Sequence, residues 1–288
     1  MKYRELLKKI EVYETKYKVS IIGKSVLGRN IYAVEKFLSG DFFTAIFVAS
    51  VHAREFITTE LLCRFLDDGI FDDISDFNVS FVLMANPDGV ELCCRGIDSV
   101  QDKNLRKRLV DINKNSKDFS LWKSNILGVD INNNFNANFG QNTFKNSPSS
   151  QGYIGDFAES EPETRALINY TKSKKVFLAI AYHSKGEEIY FNFFQEKSIL
   201  ERDVKIAQKF AKSTGYIIKN VENISSGGYK DWCVQSLKIP ALTIEVGSDD
   251  LVHPIKKDNL DEIYQKNKMV ANDVAFAYNI FREFKDKR

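Results

Sequence analysis

Six apolar segments of strand length recur along the chain, at residues 31–37, 44–51, 79–86, 176–184, 188–194 and 241–248. Several are apolar at every position rather than at alternate positions, which is typical of strands covered on both faces. Helical patterns lie at about 58–68, from residue 160 onwards, at about 200–213 and, longest, at about 260–284. In the second helix, Ser160 and Glu163 have the spacing of a capping box. Strands that alternate with helices predict an α/β sheet sandwiched by helices.

The chain shows no internal repeat, no low-complexity tract and no linker rich in Pro or Ser. Its longest polar region covers residues 132–156 and contains several aromatic residues. Such a composition indicates an ordered functional loop rather than a disordered connection. We therefore expect one domain across residues 1–288.

The overall charge is nearly balanced, with 41 basic and 39 acidic residues in 288. This balance does not point to a polyanionic partner. The segment "KNLRKRL" at 103–109 is basic, but Leu105 and Leu109 stand four residues apart, which favours a solvated helix face. We expect no nucleic-acid partner and no obligate protein partner.

The sequence contains few features that indicate targeting, a membrane span or disulfide bonds. No segment approaches the roughly 18 apolar residues of a membrane span, and the first 17 residues are charged throughout, without an apolar signal core. The four cysteines lack CxxC spacing, which fits neither a disulfide framework nor a zinc knuckle. They are Cys63, Cys93, Cys94 and Cys233. Reduced thiols in a cytoplasmic protein are the expectation.

Three residues that suit metal or acid–base chemistry fall at the ends of predicted strands: His52, His183 and Glu245. In open α/β sheets, sites gather at the carboxyl ends of the strands. A His-x-x-Glu pair, His52 and Glu55, can converge on one Zn²⁺ ion if a third ligand comes from a distant strand. By themselves these residues also fit another interpretation, in which Glu55 caps a helix and the histidines are buried and hydrogen-bonded.

Six motifs occur in a fixed order, and together they resemble the zinc carboxypeptidase family over residues of about 20–250. They are "VHARE" (51–55), "ANPDGVEL" (85–92), "GVDINNNFNANFG" (128–140), "YHSKG" (182–186), "SGGYKDW" (226–232) and "TIEVG" (243–247). Among the branches, the chain looks most like the bacterial peptidases that cut the γ-D-glutamyl–diaminopimelate bond of cell-wall peptides. The resemblance implies a three-layer α/β/α fold around a mixed, twisted eight-stranded sheet, with one zinc ion per chain.

The resemblance also implies roles for single residues. It makes His52, Glu55 and His183 the zinc ligands and Glu245 the catalytic glutamate. Arg54 matches an arginine that holds substrate near the metal. The segment "SLWKSN" aligns with the one that carries an oxyanion-stabilising arginine in the animal digestive enzymes, which places Lys123 there. A lysine supplies the charge without the bidentate fork of arginine.

Three positions depart from the digestive enzymes. Their Asn-Arg pair, whose arginine clamps the terminal carboxylate of the substrate, is replaced by Asn132 and Asn133. Their capping tyrosine falls on Asn223, with Tyr229 as another source of a phenol. Lys230 stands where side-chain specificity is set, which favours a substrate with an acidic group such as the side-chain carboxylate of diaminopimelate. An exposed turn lysine is the alternative at this position.

We therefore expect a zinc-dependent peptidase that hydrolyses murein peptides at the γ-D-Glu–diaminopimelate bond. Glu245 acts as general base toward a zinc-activated water. The alternatives are a zinc carboxypeptidase of broader specificity, a zinc hydrolase of acylated amino acids, and a catalytically inactive binding protein of the same shape. His253, on a loop after the last strand, is assigned no zinc role.

Overall fold

The computed structural model describes residues 1–141, 145–219 and 227–286. Its strands all belong to one sheet. They are β1 (Lys18–Lys24), β2 (Asn30–Lys36), β3 (Thr44–Val48), β4 (Asn78–Val82), β5 (Val176–His183), β6 (Glu188–Tyr190), β7 (Ile217–Lys219) and β8 (Ala241–Glu245). The α/β class and the mixed eight-stranded sheet that the sequence predicts are confirmed.

The sheet is parallel at its centre and mixed toward its edges. Its strand order is β1-β2-β4-β3-β5-β8-β6-β7. The neighbours from β4 through β3 and β5 to β8 are parallel, whereas β1–β2, β2–β4 and β8–β6 are antiparallel. The carboxyl ends of the four central strands therefore meet at one edge, where sites form in sheets of this kind.

Helices cover both faces of the sheet. They are α1 (Tyr3–Tyr13), α2 (Ile57–Asp67), α3 (Pro87–Arg95), α4 (Lys103–Ile112), α5 (Pro162–Lys172), α6 (Lys197–Thr214), α7 (Tyr229–Trp232), α8 (Leu260–Asn267) and α9 (Val270–Asp286). The apolar residues of α1, α2, α6, α8 and α9 share one core cluster with the sheet. Those of α5 and α7 share a second cluster with its other face. This is the expected three-layer arrangement.

Strand β3 shows why the central strands read as continuous apolar runs. All five of its residues are buried. Phe47 packs in the first core cluster, while its neighbours Ile46 and Val48 pack in the second. Successive side chains of a strand point to opposite faces, so a strand covered on both sides must be apolar throughout.

Two local expectations about helices need correction. Helix α5 begins at Pro162 with Glu161 as its N-cap. The capping box of Ser160 and Glu163 does not form, because the Glu163 carboxylate instead accepts the backbone N–H of Val26 (3.1 Å). The long helix expected at about 260–284 is two helices, α8 and α9. Asn267 ends α8, where its buried amide donates to the Tyr216 hydroxyl (3.0 Å).

The basic segment at 103–109 lies in α4, whose Leu109 is buried while Lys103, Lys107 and Arg108 are exposed. This agrees with the solvated helix face expected from the sequence. None of the helices within the described ranges is long and apolar enough to cross a membrane.

Candidate metal and active site

The candidate site lies at the carboxyl edge of the central strands. His183 is the last residue of β5 and Glu245 is the last residue of β8. His52 lies four residues beyond β3, and the 3₁₀ turn Ala53–Glu55 that follows brings Glu55 back toward the same point. The parallel pairing of β3 with β5 and of β5 with β8 therefore assembles residues that are far apart in sequence.

Three of these side chains meet in one buried cluster. His52 Nδ1 lies 2.9 Å from one Glu55 oxygen, and His183 Nδ1 lies 3.0 Å from the other. The two Nδ1 atoms are 3.0 Å apart. All three residues are buried. Within the described residues, these three side chains form a cluster whose ligand atoms lie close enough together to hold a metal ion.

The donor set fits zinc. Two imidazole nitrogens and a carboxylate are ligands that catalytic zinc uses, with a fourth position left for water. Ligand atoms about 2.0–2.1 Å from a tetrahedral zinc are about 3.3 Å apart, close to the 2.9–3.0 Å separations in the cluster. The Nδ1 atoms of His52 and His183 face each other in a buried space, where a bound cation would let both act as acceptors.

An aspartate that the sequence did not single out supports this cluster. Asp130 Oδ1 lies 3.3 Å from His52 Nε2, on the side of the ring away from Glu55. Its other oxygen accepts the backbone N–H of Gly152 (3.0 Å) and lies 3.3 Å from Lys123 Nζ. Ligating histidines commonly have a carboxylate on the second ring nitrogen, which fixes the tautomer and the ring orientation. The sequence feature that could have drawn attention to Asp130 is its position in the motif "GVDINNNF", three residues before Asn133.

Opposite charges dominate the electrostatics of the cluster. Burial would raise the pKa of Glu55, but His52 and His183 outweigh it and hold that pKa well below its usual range. Burial likewise opposes ionisation of Asp130, yet Lys123 and His52 keep the pKa of Asp130 low. Burial lowers the pKa of Lys123, and Asp130 and Glu55 raise it above its usual range. Both carboxylates are thus ionised and Lys123 is charged.

Glu245 stands beside the cluster and differs from the other acids in its proton affinity. Its Cα pairs in register with that of the metal-cluster residue His183. The pKa of Glu245 is raised to about 8, chiefly by burial and in part by the charge of Glu55, while His183 and Lys123 oppose the rise. A carboxylate of high proton affinity next to a metal site suits a general base.

Arg54 lies in the 3₁₀ turn between the two predicted ligands His52 and Glu55. Its guanidinium makes long contacts with neutral oxygens, the Leu121 carbonyl at 3.3 Å and the Gln151 side chain at 3.4 Å. Such contacts are weaker than an ion pair with a carboxylate. Around the predicted ligands, the structure thus places Lys123 beside Asp130 and Glu245 beside His183.

Of the residues expected to bind substrate, Asn132 and Asn133 lie in the 3₁₀ turn Ile131–Asn133, which directly follows Asp130. Tyr229 does not fit its expected role, because the side chain is fully buried and its hydroxyl bonds to Thr171 (2.9 Å). Its ring packs against Phe135 in the core. Asn223, the other candidate for the capping position, lies outside the described residues.

Lys230 is buried rather than exposed in a turn. Its ammonium donates to the Asn192 carbonyl (2.8 Å), forms an ion pair with Asp231, and lies over the Phe193 ring. Asp231 also accepts the backbone N–H of Gly228 (3.2 Å) at the start of α7. Lys230 is therefore a buried cation paired with a carboxylate, not a solvated turn lysine.

His253 is outside the metal cluster, as expected. It is half-buried, and its Nδ1 has no hydrogen-bond partner among residues 1–141, 145–219 and 227–286. Burial lowers the pKa of His253, while the nearby Glu55 charge acts in the opposite direction. The loop after β8 therefore brings His253 back toward the residues of the metal cluster.

Two named peptidases are similar to most of this chain. The gamma-D-glutamyl-L-diamino acid endopeptidase 1 of Lysinibacillus sphaericus is 32% identical over 263 residues, covering 85% of this chain and 64% of that protein. Carboxypeptidase A1 of Bos taurus is 28% identical over 238 residues, covering 73% of this chain and 52% of that protein. The chain thus spans less than two thirds of the length of either relative.

A solved structure shares the fold over nearly the whole chain. It is that of bovine thrombin-activatable fibrinolysis inhibitor in complex with tick carboxypeptidase inhibitor, with a TM-score of 0.78 and 17% identity over 97% of both chains. The profile of the Peptidase_M14 zinc carboxypeptidase family matches residues 3–269. The chain belongs to the zinc carboxypeptidase family.

Proposed function

We propose that this protein is a zinc-dependent peptidase that hydrolyses murein peptides at the bond between γ-D-glutamate and diaminopimelate. The observation that carries the proposal is Asn133, which stands in place of the carboxylate-clamping arginine beside a complete set of metal and acid–base residues. The similarity to an endopeptidase named for γ-D-glutamyl-L-diamino acid bonds supports it.

His52, Glu55 and His183 would hold the zinc ion, with Asp130 orienting the His52 ring. When bound, zinc lowers the pKa of a coordinated water toward about 7 and polarises the scissile carbonyl. Glu245 accepts the proton of the attacking water and passes it to the departing amine. Its high proton affinity favours both transfers, since an efficient base has a pKa near the working pH.

Lys123 and Arg54 supply positive charge where the carbonyl oxygen becomes negative. Lys123 is held 3.3 Å from Asp130, so its position is fixed before the substrate binds. Charge arranged in advance in a poorly solvated site stabilises the transition state without reorganisation. The contact of Lys123 is that of a point charge, whereas Arg54 has a planar fork with weak present partners.

The leaving-group side of the cleft would bind diaminopimelate. Asn132 and Asn133 can hydrogen-bond to the substrate but cannot neutralise a terminal carboxylate. Lys230 offers a buried cation to the side-chain carboxylate of diaminopimelate. A substrate whose carboxylates are placed differently from those of a protein C-terminus suits this arrangement.

A second candidate is a carboxypeptidase of broader specificity, which the similarity to carboxypeptidase A1 favours. The two are separated by incubating the zinc-loaded protein with L-Ala-γ-D-Glu-diaminopimelate, with hippuryl-phenylalanine and with N-acetyl amino acids, and identifying products by mass. We expect release of diaminopimelate, with L-Ala-D-Glu as the other product. Glu245→Gln controls for contaminating peptidases. Faster cleavage of hippuryl-phenylalanine would favour the second candidate, and cleavage of the acetylated amino acids alone would contradict both.

A further inference from the structure

A further lysine belongs to the turn that follows His183, where the Ser184 N–H donates to the Glu55 carboxylate (3.3 Å). Lys185 is two residues beyond His183, in the turn from β5 to β6. Its ammonium donates to the carbonyl and the carboxylate of Asp249, the latter at 2.8 Å. Asp249 lies four residues beyond Glu245, so this ion pair joins the two turns that leave the metal cluster and the base. The Lys185 side chain is 19% exposed and that of Asp249 is 88% exposed.

His253 lies in the loop after β8, four residues beyond Asp249. The charges that act on the pKa of its ring come from Glu55, Arg54, Lys185 and His52, which belong to two different turns around the site. The ring is half-buried, and its inward nitrogen Nδ1 is a buried polar atom without a hydrogen-bond partner in the described part of the chain. A polar atom in this state is usually paired with water or a ligand, since burying it without a partner is costly.

Lys185 and the carbonyl that binds Lys230 stand before and after Glu188, the residue that pairs with the catalytic glutamate. In β6, Glu188 pairs in register with Glu245. Lys185 precedes Glu188 by three residues, whereas Asn192, which binds the Lys230 ammonium, follows it by four. The two lysines are thus held by the two ends of the segment 185–192, with β6 between them. If Lys230 receives the leaving group, Lys185 is the cation at the other end of this segment, available to the acyl group.

We propose that Lys185, together with His253, binds the free α-carboxylate of a γ-linked D-glutamyl residue on the acyl side of the scissile bond. This inference rests on the proposed function. A γ-linked glutamate uses its side-chain carboxyl in the peptide bond and keeps its α-carboxylate, which an ordinary α-linked residue lacks. Asp249 is exposed, so a substrate carboxylate can share or replace its contact with the Lys185 ammonium. Lys185 thus distinguishes isopeptides from ordinary peptides.

The test compares two substrates that differ in one group: L-Ala-γ-D-Glu-diaminopimelate and the same peptide with the α-carboxylate converted to a carboxamide. A charge-assisted contact is worth about ten- to a hundredfold in specificity. We expect the wild-type enzyme to prefer the carboxylate by such a factor in kcat/KM. Lys185→Met should remove that preference by slowing only the carboxylate substrate, and Lys185→Arg should retain it.

Lys175→Met is the matched control, because Lys175 precedes the other end of β5 and is also paired with an exposed aspartate, Asp41. It should leave the preference unchanged. Equal losses on both substrates in Lys185→Met, or no preference in the wild type, would overturn the role of Lys185 while the proposed function stands. Cleavage of neither isopeptide would overturn both.

Discussion

His183 and Glu245 are direct neighbours across two parallel strands, with their Cα atoms paired in the register of β5 and β8. Paired residues in adjacent strands project from the same face of the sheet. The histidine of the cluster and the glutamate that we propose as the base therefore keep their relative position through the backbone hydrogen bonds of the sheet centre. A site held on packed strands is more rigid than one held on loops.

Replacing Glu245 by glutamine tests the base. Glutamine keeps the size and the hydrogen-bonding ability of the side chain but cannot take up a proton. We expect Glu245→Gln to retain zinc and to lose at least about 10²–10⁴-fold in kcat. Zinc is measured by elemental analysis and turnover with the murein tripeptide. Activity near that of the wild type would place the base elsewhere.

Removing a metal ligand tests the cluster. His183→Ala leaves one imidazole and one carboxylate, which do not make up the three protein ligands of catalytic zinc. The expected result is a strongly reduced zinc content after dialysis, against about one ion per chain in the wild type. His253→Ala is the control, because that ring lies outside the cluster, and it should keep full zinc. Unchanged zinc in His183→Ala would remove this residue from the ligand set.

Asp130 is expected to act through His52 and Lys123 rather than on the substrate. Asp130→Asn keeps an oxygen for the Gly152 N–H but removes the charge shared by His52 and Lys123. Loss of such an outer partner typically costs about 10–100-fold in metal affinity or activity. Competition with a chelator measures the zinc affinity. Asp156→Asn, on the same loop, is the control, and equal affinities in both variants would contradict the role.

The centre of the fold was predictable from the sequence, and its edges were not. Buried strands such as β3 are apolar at every position, so their pattern is visible without the structure. The edge strand β1, "KVSIIGK", has no fully buried residue, and β7 has three residues. Both take part in the sheet through pairing with a neighbouring strand. Such tertiary pairing leaves little signal in a short, half-exposed segment.

The residues that we propose as ligands and base could be selected from the sequence because several motifs in a fixed order place them at or near strand ends. Asp130 was missed because its role depends on a loop that folds back on the His52 ring, and nothing in the local sequence states that contact. The role expected of Tyr229 failed for a similar reason. The sequence places a phenol near the site, but packing on Phe135 and the bond to Thr171 turn it into the core.

A buried glutamate away from the site predicts a pH dependence of stability. Burial raises the pKa of Glu163 from 4.5 to about 8, and Asp88 and Glu161 add to the rise, although Val26 donates a hydrogen bond. Between about pH 4.5 and pH 8, Glu163 is protonated in the folded state and ionised in the unfolded state. The free energy of unfolding therefore falls as the pH rises from about 4.5 to 8, by at most about 1.4 kcal/mol per pH unit.

Glu163→Gln removes this titration and should flatten the dependence. Urea unfolding of both proteins at pH 5.5, 6.5 and 8 measures it, and the difference between them cancels the titration of all other groups. We expect the variant to gain stability relative to the wild type as the pH rises. A constant difference across the range would mean that Glu163 is ionised in the folded protein at pH 5.5.

Variants at Lys230 test the proposed pocket for the leaving group. Because Lys230 forms an ion pair with Asp231, the two residues must be changed together. Lys230→Met alone leaves the buried Asp231 without its cation, which costs about 3–5 kcal/mol of stability. The double variant Lys230→Met with Asp231→Asn removes both charges and keeps an acceptor for the Gly228 N–H. Thermal unfolding should show that the double variant is more stable than the single one.

If the Lys230 ammonium binds the side-chain carboxylate of diaminopimelate, the double variant loses that contact although it folds. Its kcat/KM should fall by about ten- to a hundredfold for the diaminopimelate peptide. The loss should be much smaller for the analogue that ends in lysine, which has no such carboxylate. Equal losses on the two peptides would mean that Lys230 serves only the packing around Asp231 and Phe193. A loss confined to the diaminopimelate peptide would place the recognised carboxylate at the Asn192 end of the cleft, because that is where the Lys230 ammonium is held.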